Sequence, residues 1–404
     1  MTSPTDASPA RTRLARFANS PWTQSFAIAV LWQLTLTVIG TLIDASTHGR
    51  AASVGLLGHT ERWDALWFEG IIDNGYGAEP ASVAFYPAFP LLISILRIVT
   101  GGQVGVLVLG LVLNTVALGF AIRALLVIAE RLGFTASNRW TPAAMLLTAP
   151  PALFCHVFYS ESVFLAFAAW AYAFALRRQW ALMGLMLVGV TASRLPGLLM
   201  LALCGLEFWR SKGWSLRGLL DWRILWLPFG LLGFGAYAVH MWAVFGDPLA
   251  MINNVRTSGA WPYHVLQPNV LLTLADQSAD VIRAVFGIDG AVLTPEVLHY
   301  QAIPLISLLV LAVSAVFLAV VWRRDSIPLV VFSALAIVMY TLNSNVISVH
   351  RYVFVCFTIY VAGAALVQRF PKWRPLVAWV MYLGVFAQGW WYYIWITHPT
   401  LLTS

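Results

Sequence analysis

The most constraining feature of this chain is a set of long apolar runs with almost no charge, at 24–43, 104–129, 222–245, 301–322 and 375–396. Each reaches the roughly 17–25 residues that an α-helix needs to cross hydrocarbon. In hydrocarbon the backbone has no water to bond, so a spanning segment must satisfy its own N–H and C=O groups. The runs are too long for barrel strands and therefore predict helices. Composition agrees, because charged residues make up only 10% of the chain and hydrophobic ones 60%. A soluble globule, a disordered chain and a disulfide-stapled scaffold are excluded. The expectation is an all-α polytopic membrane protein forming a single integral membrane domain over 1–404.

The net charge of +7 does not point to nucleic acid. The basic residues fall in short clusters between apolar runs, as in cytoplasmic loops. Arg11, Arg13 and Arg16 place the tail 1–23 inside, ahead of a signal anchor. Further inside markers are Arg131/Arg139, Arg177/Arg178, Arg210/Lys212/Arg217/Arg223, Arg323/Arg324 and Arg369/Lys372/Arg374. Parity between these markers gives about eleven spans and an external C-terminus. It makes 45–103 a first external loop, in which 84–99 lies along the interface, and 246–300 a second one. The crossings 140–156 and 163–176 flank an external turn at Tyr159 to Ser162. The run 180–209 must go out and back, breaking at Ser193-Arg194-Leu195-Pro196. Its halves are short, which predicts a water-filled cavity open to the outside. Cys155, Cys204 and Cys356 have no metal or disulfide spacing and read as small buried hydrophobes.

Chemistry concentrates on the external side. Residues 61–79 hold five of the chain's seventeen acids. Asp64, Trp67, Phe68 and Ile71/Ile72 have the spacing of an amphipathic surface helix. Asp64 lies between Trp63 and Trp67, and desolvation there favours a general base; the plain alternative is a solvated loop with aromatic anchors. Glu161 in Phe158-Tyr159-Ser160-Glu161-Ser162 is a site acid or a helix-capping one. Arg194, in an otherwise apolar stretch, is a phosphate contact or a structural partner of Glu161. His350 and Arg351 open a span from outside, either to hold phosphate or simply to snorkel. His156, one turn before Ser160, is a structural hydrogen-bonder or a catalyst.

An external acid beside several external Arg and His residues suits group transfer from a lipid-phosphate donor. The cations would stabilise the leaving phosphate, and the acid would deprotonate an acceptor hydroxyl. No Gly-rich nucleotide loop, Asp-x-Asp or His-x-x-x-His pair occurs, so neither a nucleotide sugar nor a metal is implied. A transporter or lipid flippase would explain a polar cavity equally well, but its polar groups should also line the inner half. An acyl- or phosphotransferase would need a nucleophile with a base, for which His156 near Ser160 is the weak candidate.

The segments Arg62-Trp63-Asp64-Ala65, Gly75-Tyr76 with Glu79, and Ala84-Phe85-Tyr86-Pro87-Ala88-Phe89-Pro90-Leu91 resemble the first luminal loop of the PIG-V family. That family is the glycosylphosphatidylinositol mannosyltransferase 2 type, with bacterial relatives. The resemblance continues at Phe158 to Phe164, at Thr191 to Leu199 and at His350-Arg351-Tyr352. Leu195-Pro196 stands where the family usually has Ser-Asn. The resemblance implies a GT-C-type fold in a bacterial plasma membrane with its site on the outer face. It implies transfer of mannose from polyprenyl-phosphate-mannose without a metal or other cofactor. The resemblance leaves the acceptor open between a glycolipid, such as a phosphatidylinositol mannoside, and a secreted protein; our reading is an inverting transfer to the glycolipid. Asp64 is then the general base. Arg194, His350 and Arg351 hold the donor phosphate. Arg62, Trp63, Glu79, His156, Tyr159 and Glu161 contact substrate.

Overall fold

The computed structural model describes residues 19–48, 56–257 and 270–398. The basic tail cluster Arg11/Arg13/Arg16 and part of each expected external loop lie outside these residues. The described chain is 81% helical, without strands. Its helices are α1 Pro21–His48, α2 Asp64–Asn74, α3 Ala88–Val99, α4 Val106–Arg131, α5 Thr141–Thr148 and α6 Glu161–Leu176. Next come α7 Trp180–Thr191, α8 Gly197–Ser211, α9 Trp226–Phe229, α10 Leu232–Phe245, α11 Ala250–Thr257 and α12 Val270–Phe286. The last are α13 Pro295–Val297, α14 Ile303–Trp322, α15 Ile327–Thr341, α16 Val349–Phe354, α17 Thr358–Arg369 and α18 Arg374–Thr397.

Four helical segments among the described residues are long and apolar enough to cross a membrane: Pro21–Thr47, Val106–Arg131, Trp222–Phe245 and Pro295–Trp322. They coincide with four of the five long apolar runs. The fifth forms α18, a helix of 24 residues, whose many Trp and Tyr side chains carry polar atoms and suit an interface as well as a core.

Proline and glycine decide where the apolar runs stop being single helices. The run 140–156 is not one helix. It leaves α5 at Ala149 and continues through Pro150 and Pro151 as a 3-10 turn to Cys155. A proline there has no N–H to give and clashes with the preceding turn. The run 180–209 breaks where expected, between Thr191 and Gly197. In the first loop, Asp64 opens α2, which buries Ala65, Phe68 and Ile71 along one face. The segment 84–99 contains a 3-10 turn ending at Ala84 and then α3.

Two apolar cores result. One joins α4, α6, α7, α8, α15 and α17; the other joins α2, α3, the segment Leu153–Tyr159 and the end of α18. Val349 and Val353 of α16 belong to the first, and Phe154 and Tyr159 to the second. Arg351 lies between Val349 and Val353, where these cores meet.

Candidate functional site

The segment from Pro150 to Ser160 is buried without being α-helical, so its carbonyls need donors from side chains. Gln33 of α1 donates from Nε2 to Cys155 O at 2.9 Å, and Ser162 Oγ donates to the same oxygen at 3.0 Å. Asn114 of α4 donates from Nδ2 to Val157 O at 2.9 Å. These amides stand alone in apolar helices because they secure the segment that presents Tyr159 and Glu161. Sequence reasoning missed Gln33 and Asn114, although a solitary amide in a long apolar run is a readable signal.

Glu161 occupies the first turn of α6 and is fully enclosed. Its Oε1 accepts from Arg351 Nη2 at 2.8 Å and from Arg351 Nε at 3.1 Å. The same oxygen lies 2.7 Å from Arg194 Nη1. At that separation the two groups form a close ion pair. Arg351 Nη2 also donates to Asp64 Oδ2 at 2.7 Å. Two acids and two guanidinium groups from four distant segments thus form one neutral chain, Asp64–Arg351–Glu161–Arg194. Burial would raise the Glu161 carboxyl, but Arg194 and Arg351 outweigh it and hold it below the usual range. The side chains of Glu161 and Arg351 are 0% and 5% exposed; those of Asp64 and Arg194 keep 18% and 13%. The two ends of the chain are therefore its accessible members.

Aromatic rings build the walls. The Arg351 guanidinium carbon lies 4.5 Å from the Tyr159 ring centre and 4.9 Å from that of Phe154. Arg194 lies 5.1 Å from the Tyr352 ring centre. Cation–π attraction holds guanidinium groups by the face and leaves their N–H groups for carboxylates. The Tyr159 hydroxyl accepts from the Asp64 backbone N–H at 3.2 Å and donates to Arg62 O at 3.3 Å. It therefore fixes the start of α2 and the position of Asp64. Trp63, just before α2, has φ 48° and ψ −105°, a conformation unusual for a bulky residue. Its ring packs edge-on against Trp395 at 4.2 Å, and Trp67 stacks on Phe85 at 5.7 Å. The side-chain partner of Asp64 is Arg351, not an indole. Phe154 and Trp395 gave no sequence signal, because nothing local marks which aromatic ring will back a distant charge; Tyr352 entered only as part of His350-Arg351-Tyr352.

The remaining sequence-derived residues divide. Arg62 contributes its backbone carbonyl to Tyr159. His350 is enclosed beside Trp391 and His299, at ring separations of 4.9 and 5.3 Å, and neither ring nitrogen has a partner. Burial, then His299 and Arg351, lower its basicity strongly. His156 stands apart from the charge chain. Its Nδ1 lies 2.6 Å from Gln33 Oε1, and since that oxygen can only accept, Nδ1 carries the proton. The structure records no His156–Ser160 hydrogen bond. Glu79 is exposed and caps the turn Pro80–Ala84 by accepting from Ala81 N at 3.5 Å. It makes no recorded contact with the charge chain.

All three cysteines are free and buried. Among the described residues, no three His, Cys, Asp or Glu side chains come together as metal ligands would. The geometry offers a partly exposed carboxylate backed by a buried guanidinium, and a second guanidinium reachable at the far end of the same chain. No protein-family model matches this sequence, and no curated protein matches it.

Proposed function

We propose that this protein is a membrane glycosyltransferase that moves a mannosyl group from polyprenyl-phosphate-mannose to a glycolipid acceptor. On this reading the chain has a GT-C-type fold with about eleven spans, lies in a bacterial plasma membrane and works on its outer face. The sugar and the lipid carrier come from the resemblance to the PIG-V family; the phosphatidylinositol mannoside-like acceptor is our own choice over a secreted protein. The observation that carries the reading is the charge chain itself. Asp64, Glu161, Arg194 and Arg351, each singled out as exceptional in an apolar sequence, share one network in which Asp64 stays accessible.

Asp64 would take the proton of the acceptor hydroxyl as its oxygen attacks the anomeric carbon. The bond from that carbon to the phosphate oxygen breaks, and polyprenyl phosphate leaves with the electron pair. Displacement from the opposite face inverts the anomeric centre. Arg194 would give the phosphate one contact at the far end of the chain, and Glu161 fills the enclosed side of Arg351, so the phosphate would meet Arg351 from the side of Asp64. There it competes with Asp64 for Arg351, so donor binding would loosen the ion pair that occupies the base. Tyr159 positions Asp64 through the backbone of α2.

The test is a transfer assay with radiolabelled polyprenyl-phosphate-mannose and membrane lipid extract. Wild-type protein should convert the label to a new glycolipid. Asp64→Asn should insert normally and lose transfer; near-normal turnover in that variant would remove Asp64 as base. Arg194→Ala should raise the donor KM and lower kcat. Label that crosses the bilayer still attached to its carrier would instead identify a flippase.

A further inference from the structure

Arg123 stands in the apolar helix α4, eight residues before its last residue and so about 12 Å from that end. Its guanidinium carbon lies 5.6 Å from the Trp22 ring centre, which occupies the face of the group and leaves its N–H groups free in the plane. Nε and Nη1 are enclosed and meet no acceptor. The charged groups that act on Arg123 are Glu130, Arg177 and Arg139. The single acid is already engaged, with Glu130 Oε1 3.4 Å from Arg139 Nη1. Arg139 Nε is likewise enclosed without an acceptor, and Arg177 is exposed.

Three arginines against one glutamate leave a surplus of two positive charges. A cation in an apolar helix with unmet donors is expensive, and such groups are normally paired. Near the end of a membrane helix, the available anions are lipid headgroups. Trp22 lies in the first turn of α1, Trp140 precedes α5, and both suit the headgroup level. We propose that Arg123, Arg139 and Arg177 hold the phosphate of an anionic phospholipid between the ends of α1, α4 and α6. The surplus of charge favours an anionic headgroup over a zwitterionic one, whose ammonium would be repelled. The site is separate from the charge chain around Glu161. Helix α6 begins at Glu161 and ends at Leu176, so Arg177 lies about 24 Å away along it.

The experiment places full-length protein in phosphatidylcholine nanodiscs with and without phosphatidylglycerol. Retained lipid is read by native mass spectrometry and stability by melting temperature. Wild type should keep phosphatidylglycerol in preference to phosphatidylcholine and melt higher in its presence. Arg123→Gln should reduce that retention about tenfold, as loss of a charge-assisted hydrogen bond would. Arg177→Gln changes an exposed side chain. It should weaken retention while leaving melting in pure phosphatidylcholine unchanged, which keeps the test open if Arg123→Gln does not fold. Equal retention of the two lipids by wild type, or retention unchanged in the variants, overturns the proposal. Inorganic phosphate added in detergent provides the second arm. Stabilisation equal to that given by phosphatidylglycerol would identify free phosphate as the ligand and overturn the lipid assignment.

Discussion

Glu161 uses one carboxylate oxygen to meet two guanidinium groups, while its other oxygen has no donor. That asymmetry separates the structural acid from the accessible one. Glu161→Gln leaves Arg194 and Arg351 with Asp64 as their only acid in the chain, and breaking a buried pair of this kind costs about 3–5 kcal/mol. Asp64→Asn removes a partner that water can partly replace, so it should cost far less. Thermal unfolding in detergent should therefore rank wild type and Asp64→Asn together, with Glu161→Gln well below. Equal melting of the two variants would show that the pair with Glu161 contributes nothing special. The four charged residues could be found from sequence because an ionisable group beside an apolar run is exceptional. Their pairing could not. Arg351 reaches Glu161 across 190 residues and Asp64 across 287, separations that no local pattern encodes. Arg351, expected from the sequence to contact phosphate, also bridges two carboxylates.

At the scale of elements, the break at Ser193 to Pro196 was legible in the sequence, while the one at Pro150-Pro151, inside a run read as a single crossing, was not. Nor was what replaces the lost helix there, the buried 3-10 segment after Pro150. That segment depends on donors from other helices. Asn114→Leu should destabilise the protein by about 1–3 kcal/mol, the cost of leaving the buried Val157 carbonyl without its donor. A melting temperature matching wild type would mean that another group replaces the amide. Helix α2 carries a different liability. Burial, then the carboxyl of Glu61 and the charge of Asp73, push the Glu69 acid from its usual 4.5 up to about 8. An acid with a raised value in the fold binds its proton more tightly there than when unfolded, so protonation favours the fold. Its contribution is complete below about 4.5 and is lost as pH rises through about 8. Amide exchange over α2, corrected for the intrinsic rate, should therefore accelerate across that window, and Glu69→Gln should abolish the trend. A flat wild-type profile, or a trend that survives the substitution, would place the pH response elsewhere.

For the whole molecule, the burial of charge and the path of the chain constrain each other. The site unites the start of α2 within the first loop, the start of α6, the break after α7 and the short helix α16. All four must reach one side of the membrane if the described helices cross it. The parity argument assigns that side to the outside, with Arg139 and Ser215 on the opposite side. Reporter fusions test this directly. A phosphatase that works only after export should be active when fused after Ala78 or after Asp289, and silent after Arg139 or after Ser215. The fusion after Ala78 decides most, because α2 carries Asp64 and the contact with Arg351 fixes the sidedness of the charge chain. Silence there, with activity after Arg139, would turn the site toward the cytoplasm. Nucleotide sugars would then be available as donors, and the case for a lipid-linked sugar from sidedness would fail even if Asp64 were still the base.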